Sequence, residues 1–192
     1  QVQYDLNNPN AKVGKGDVFG YDYNILINKA QAWTSYSRLV GRFNLMGAAR
    51  IGGVSMQRDG KMRNGLFEAN SYGKSGVARF LEGGAKVAVN YSAGRGHTFS
   101  IGAGYQYNAP TAAVSFAAPE MNNDFALNLK NERVLSTDFA YQYQSARVHI
   151  NLNAYYNAIN NVTEWQNFYF DDANSFTYVS MTNMKKDYYG VE

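Results

Sequence analysis

Residues 147–158 read RVHINLNAYYNA, and residues 135–144, just before them, read LSTDFAYQYQ. In the first stretch Val148, Ile150, Leu152, Ala154, Tyr156 and Ala158 alternate with His149, Asn151, Asn153, Tyr155 and Asn157. A period of two belongs to a strand, here with one apolar face and one amide-rich face. Upstream, Phe139, Tyr141 and Tyr143 alternate with Ala140, Gln142 and Gln144, and only Ser145-Ala146 separates the two runs. That predicts an antiparallel hairpin on a very short turn. A soluble sandwich turns Lys and Glu to water, whereas this polar row is mostly uncharged amide. An amide-lined, watery interior behind an apolar outer band fits the wall of a membrane barrel.

The composition agrees with a strand-rich chain. Tyr and Phe together raise aromatics to 15% and Gly stands at 18 against 3 Pro; aromatics favour strands, and glycine marks their turns and bends. A net charge of +3 carried by scattered Lys and Arg leaves no footprint for nucleic acid. With no cysteine, disulfide frameworks, CxxC redox chemistry and cysteine zinc sites are excluded. No apolar run approaches the roughly 18 residues of a membrane helix, but barrel strands hide their hydrophobicity in alternation. The chain opens Gln1-Val2-Gln3 without Met and ends inside a strand pattern, so it is expected to be a piece of a longer protein.

Working outward, residues 1–20 carry turn chemistry and read as a loop. A strand is predicted from Tyr21, with Tyr21, Tyr23, Ile25 and Ile27 on one face, and a turn near Arg38 to Gly41. Residues 42–56 put Phe43, Leu45, Gly47, Ala49 and Ile51 opposite Asn44 and Arg50, with a bulge expected at Gly52-Gly53. A long polar connection covers Gln57 to Arg79. Strands follow at Phe80–Tyr91 and from Phe99 through Tyr107, joined by the turn Gly94-Arg95-Gly96-His97. A second long connection, Ala109 to Arg133, precedes the hairpin already described. The last strand pair closes on a tip at Asp171 to Ser175.

The pattern predicts about seven strands, with short turns on one end and long connections on the other, as outer-membrane barrels are built. Tyr36, Phe43, Tyr91, Phe99 and Tyr143 fall near the short turns, where an interfacial girdle belongs. An unclosed edge in lipid costs several kcal/mol for each unsatisfied backbone group, so further strands must complete the wall. The expected fold class is therefore all-β: residues 1–192 form an antiparallel transmembrane β-barrel segment of a larger barrel.

Asn128-Leu129-Lys130-Asn131-Glu132, leading into Asp138-Phe139-Ala140-Tyr141-Gln142-Tyr143 and then Asn153-Ala154-Tyr155-Tyr156, resembles the middle to late barrel of TonB-dependent outer-membrane receptors. The closing Tyr189-Gly190-Val191-Glu192 is similar to the family's late "GVE" strand. Asn131 stands where the family often has Pro, and Val134 to Thr137 departs from its usual Asn-rich wording. The resemblance implies a barrel of roughly 22 strands, a cell outer-membrane location in a Gram-negative bacterium, and uptake of a nutrient such as a metal chelate or glycan. It implies as partners the lipid bilayer, TonB with the inner-membrane energising complex, and a surface lipoprotein. No plug domain is found in this sequence.

Gly73-Lys74-Ser75 lacks the earlier glycine of a phosphate loop, because Glu68 stands there. His97 and His149 have no second His or Cys at ligand spacing, and Asp171-Asp172-Ala173-Asn174 lacks the spacing and glycine of an EF-hand loop. No nucleophile–base pair or converging carboxylates can be assembled, so no catalytic residue, metal ligand or cofactor is assigned and no enzyme activity is expected. The ligand-binding candidates are Arg58 and Arg63, in a stretch expected to be basic and exposed, and Trp165 and Tyr169, toward the outer ends of the last strands. Ligand is expected at the loops and outer strand ends rather than inside the wall. The competing reading is a soluble all-β glycan-binding module. Its sandwich would need charges outside and a dry face within.

Overall fold

The computed structural model describes residues 3–169 and 176–192. The chain is all-β. Eight strands form one antiparallel sheet: β1 (Tyr23–Val40), β2 (Phe43–Gly60), β3 (Gly73–Lys74), β4 (Ala78–Gly94), β5 (His97–Asn108), β6 (Glu132–Gln144), β7 (His149–Tyr169) and β8 (Phe176–Val191). A single helical turn, α1 (Ala112–Ser115), lies between β5 and β6. Each long strand pairs with the next, while β3 extends the ladder on β2 beyond the end of β4. The sheet is open, with β1 and β8 at its edges. No helix among the described residues is long and apolar enough to cross a membrane.

Three short turns share one end of the sheet. Val40 pairs with Phe43 across Gly41-Arg42, and Gly41 takes the positive φ of 59° that suits the first central position of a tight hairpin. Gly94 pairs with His97 across Arg95-Gly96. The third turn is longer than the expected Ser145-Ala146. The Ser145 N–H donates to Val148 O at 2.8 Å and the Val148 N–H to Ser145 Oγ at 3.1 Å, so Arg147 and Val148 belong to the turn and β7 starts at His149.

Directly paired residues share a face, so the register sorts the whole sheet. One row runs Val40, Phe43, Tyr91, Phe99, Tyr141, Leu152, and the next runs Arg38, Leu45, Val89, Ile101, Phe139, Ala154, Val191. Beyond them lies Tyr36, Gly47, Val87, Ala103, Thr137, Tyr156, Tyr189. This face is mostly apolar from β1 to β7, with Arg38 near the turns, and on β8 it turns from Val191 and Tyr189 to Asp187 and Lys185; no part of the described chain folds over it, and Leu81 is 74% exposed, Ile51 67% and Val87 61%. Near the turns Phe43 stacks on Tyr91 at 4.7 Å and Phe99 meets Tyr141 at 5.1 Å. The expected aromatic residues do lie on this face, with Tyr36 two rows deeper than Phe43. The opposite face carries Asn44, Arg50, Lys86, Asn90, Ser100, Gln106, Gln142, His149, Asn151 and Asn153, as the alternation predicts.

The structure keeps Tyr23, Ile25 and Ile27 on one face, as expected, but that face is the polar one, and it removes an expected bulge. Tyr23, Ile25 and Ile27 lie on the polar face, paired with Gly60, Arg58 and Met56, while Leu26, Ala30 and Ala32 continue the apolar one. The polar face turns dry at this end of the strands, where Val54 and Met56 are buried. Nor is there a bulge at Gly52-Gly53, because the β1–β2 and β2–β4 ladders pass through both glycines unbroken. Gly52 instead permits close approach, since a Cβ there would stand 2.6 Å from the Ala30 carbonyl oxygen. The register shifts lie elsewhere, at Ser92–Gly94 and between Asn160 and Glu164, where Asn161 and, on β8, Asn183 take φ of 60°. Beyond Asn160, β7 has passed its last β6 partner, Arg133, and continues with β8 as a two-stranded ribbon.

Gly52→Ala should destabilise the folded chain by about 1–3 kcal/mol through overpacking against backbone. Gly47→Ala should not, because nothing lies within 4 Å of its added Cβ. Denaturant titration of the two variants, followed by far-UV circular dichroism, measures the difference.

Candidate functional site at the loop end of the sheet

The two long connections, 61–77 and 109–131, leave the end of the sheet opposite the short turns. They fold together over the outer part of the polar face. Arg58, near the end of β2, holds them there. Its Nε donates to Pro119 O at 2.7 Å, and its Nη1 to Ser71 O at 2.8 Å and to Asn123 Oδ1 at 2.6 Å. The Tyr23 ring lies beneath, its centroid 5.2 Å from the guanidinium carbon. Ser75 ties the same residue's backbone: the Arg58 N–H donates to Ser75 Oγ at 2.9 Å, and the Ser75 N–H donates to Arg58 O at 2.8 Å.

Around this cation the connections are cross-linked by their own amides. The Asn123 N–H donates to Asn70 O at 2.8 Å, and Asn70 Nδ2 to Asp124 Oδ1 at 2.6 Å. Phe116, fully buried, packs on Phe125 with ring centroids 4.8 Å apart. α1 lies against β7, so one connection bridges from β2 across to β7. Asn131 fixes its far end, donating to Leu81 O at 2.7 Å while its carbonyl accepts from Asn161 Nδ2 at 3.0 Å. Isolated buried donors and acceptors cost free energy, and here nearly every one has a partner.

The sequence candidates fare differently. Arg58 is only 2% exposed and its named donors are spent on the chain itself, which corrects the expectation that its stretch is an exposed basic loop. Burial follows from position: Arg58 is still in β2, which runs to Gly60 rather than ending at Met56. Arg63 is exposed and stands over the Tyr72 ring at 5.6 Å. Trp165 is half-buried on β7, paired with Ser180 of β8. The sheet sets β4, β5 and β6 between β2 and β7, so Trp165 is not brought beside the two arginines. The Tyr169 and Tyr178 side chains and the tip Asp171 to Ser175 lie outside the described residues. Of the histidines, His97 bonds through Nδ1 to Tyr141 OH at 2.8 Å. Among the described residues no cluster of His, Cys, Asp and Glu could hold a metal ion.

Sequence reasoning missed Ser71, Ser75, Asn123 and Asp124. The signal was there in the uncharged polar runs Asn70-Ser71 and Asn122-Asn123, which suit backbone bonding in place of solvent.

The loop end is therefore a rigidly cross-bonded cap with an aromatic and cationic rim. No family model, curated protein or solved structure matches the chain. What the cap does must be argued from its own chemistry.

Replacing Arg58 by Leu strands three acceptors and should weaken the cap by about 2–4 kcal/mol. Hydrogen exchange should quicken at the Asn123 and Ser75 amides and stay unchanged at Leu45 and Val89. Asp5 supplies a pH test at the same rim. Burial pushes its pKa up, but the Arg63 backbone N–H, Asn8, the Asn7 N–H and the Arg63 charge outweigh this, so it lies below the ordinary 3.8. A depressed carboxylate contributes fully above its unfolded value and loses that contribution as pH falls through the folded one. The Leu6 and Gly65 amides, bonded to Arg63 O and Gln3 O, should lose exchange protection only in that acid range. Asp5→Asn should flatten the profile.

Proposed function

We propose that this chain is a wall segment of an outer-membrane β-barrel, part of a TonB-dependent receptor for energised uptake of a nutrient. The observation that carries the reading is the uncovered and mostly apolar face that runs from β1 to β7 and reaches β8 at Tyr189 and Val191, backed by a polar one. Exposed apolar patches beyond a few hundred Å² mark an interaction surface. Each large side chain moved from water to an apolar surround gains about 1.5–3 kcal/mol. Lipid supplies that surround over a whole sheet, and the polar face then lines water. The end with short turns suits the periplasmic side, and the cap suits the outside. The open edges of β1 and β8 call for further strands to close the wall, since unsatisfied backbone in lipid costs several kcal/mol per group.

Within this reading the loop end is the recognition end: Arg63 with Tyr72 are the cap's candidate contacts for substrate, and Trp165, on the β7–β8 ribbon, is a separate one. Loops on a rigid scaffold carry recognition well, and Arg58 acts beneath them by holding the cap in place. Energised transport requires a plug and TonB, which the resemblance of Asn128–Tyr143 supplies as an expectation. A soluble glycan-binding module would instead need a second layer over Leu81 and Val87.

The native chain has no cysteine, so single thiols report position cleanly. A fluorophore on Leu81→Cys or Leu152→Cys should be quenched by nitroxide lipids in reconstituted vesicles, and one on Asn153→Cys should not. Equal quenching at both faces would remove the membrane wall. Leu152→Arg should cost about 2–4 kcal/mol if it lies at mid-membrane, and Asn153→Arg much less. In cells, collapse of the inner-membrane proton gradient should stop uptake by the full-length protein and leave surface binding intact; uptake that persists makes it a passive channel.

A further inference from the structure

The middle of the polar face has a hollow of about 360 Å³, away from the cap. Its shape follows from where side chains are absent. Register sets Trp33, Arg50, Gly84 and Gln106 in one row, and Ser35, Ala48, Lys86 and Gly104 in the next toward the turns. Gly84 and Ala48 leave the floor bare. A side chain at Gly84 is barred, because its Cβ would stand 2.8 Å from the Tyr105 carbonyl oxygen. Arg50 and Lys86, diagonal neighbours on β2 and β4, therefore border the same space. Trp33, 73% exposed, forms its wall toward the β1 edge.

The charges here are unbalanced. Arg50 reaches across Gly84, its Nη2 donating to Gln106 Oε1 at 3.3 Å and also to Asn108 Oδ1. Those neutral amides orient the guanidinium, and it makes no direct ion pair among the described residues. Lys86 makes no hydrogen bond and no ion pair among the described residues. The nearby carboxylates lie just outside this space. Glu82, diagonal to Arg50, lies 2.6 Å from Lys29 Nζ and accepts the Ala109 N–H, and Asp138 leans over Gly102 in the adjoining hollow, which Lys86 also borders. No carboxylate lines the 360 Å³ space. Like charges on neighbouring strands repel, and an anion between them turns that repulsion into attraction.

We propose that this hollow is a binding site for an anionic small molecule, a phosphate or carboxylate group held between Arg50 and Lys86 with its organic body against Trp33. The guanidinium offers a planar fork to two anion oxygens, the ammonium adds a compact charge, and the indole offers a face to a ring or sugar. The site needs only that the polar face meet water, so it goes beyond the wall reading and does not require lipid on the other face.

Trp33 reports on it directly. The chain has two tryptophans, so Trp165→Phe leaves Trp33 as the single indole. In the folded, detergent-solubilised chain, phenyl phosphate should give a saturable change in Trp33 emission, and phenol none. Lys86→Gln and Arg50→Gln should each raise the dissociation constant by at least about tenfold, and Lys86→Arg should keep it within about threefold. Lys86 has no partner to lose, so its variants fold as the parent does and keep the test decisive. Iodide should quench Trp33 more than caesium does, with the difference shrinking in Lys86→Gln. No saturable change, an equal response to phenol, or parental binding in Lys86→Gln would overturn the site. A chain that binds phenyl phosphate yet fails the lipid-quenching measurement keeps the site and loses the membrane wall.

Discussion

Everything in this molecule depends on an antiparallel register that is held almost without interruption from β1 to β7. Because the side-chain period is two, a slip of one residue in any ladder would send that strand's apolar row to the wrong face. The ladders avoid this with tight turns at one end and with only local shifts, at Ser92–Gly94 and beyond Asn160. The two faces therefore keep largely separate chemistries from β1 to β7, and only β8 brings charges, Asp187 and Lys185, onto the apolar one. A single layer that offers Leu81, Ile51 and Val87 to its surroundings has no core of its own through most of its area. Its stability has to come from backbone pairing and from whatever apolar medium meets that face.

The exception is the loop end, where the chain builds a small core of its own. It does so around a buried cation, with backbone carbonyls and one Asn side chain as acceptors. Arg58 suits that role because its donors diverge from one plane and reach Pro119, Ser71 and Asn123 together. A lysine would give a point charge and lose the fan of directions. The same side chain is thereby withdrawn from any surface role, and recognition is left to residues around it, such as Arg63 on Tyr72.

Much of the sheet was legible in the sequence wherever both faces were exposed along the strand. Residues 43–51, 99–108, 139–144 and 149–154 alternate cleanly, and the structure gives them the faces that alternation predicts. The reading failed where a second layer, the cap, altered the rule. Tyr23 and Ile25 sit half-buried on the polar face beside the cap, whereas Ile27 just beyond them is exposed, and pattern alone cannot reveal a loop folding back. Gly52 was misread because a glycine that relieves close packing and one that marks a bulge are identical in sequence. Arg58 was taken as exposed because its partners lie 13 to 65 positions away, in connections with no periodicity. The hollow beside Trp33 depends on which residues face each other across β1, β2 and β4, and register is what one strand's sequence does not state.

The ribbon beyond Asn160 has a mechanical side. β6 ends its pairing there, but β7 runs nine residues further, to Tyr169, about 30 Å at the usual rise of a strand. Two strands twist and bend more readily than a wide sheet, and the ribbon's root carries both register shifts with left-handed Asn161 and Asn183. That combination has the geometry of a lever arm. A force applied across its tip acts on its root as a moment proportional to the arm's length, at the place where Asn161 donates to the Asn131 carbonyl and so meets the far end of the cap.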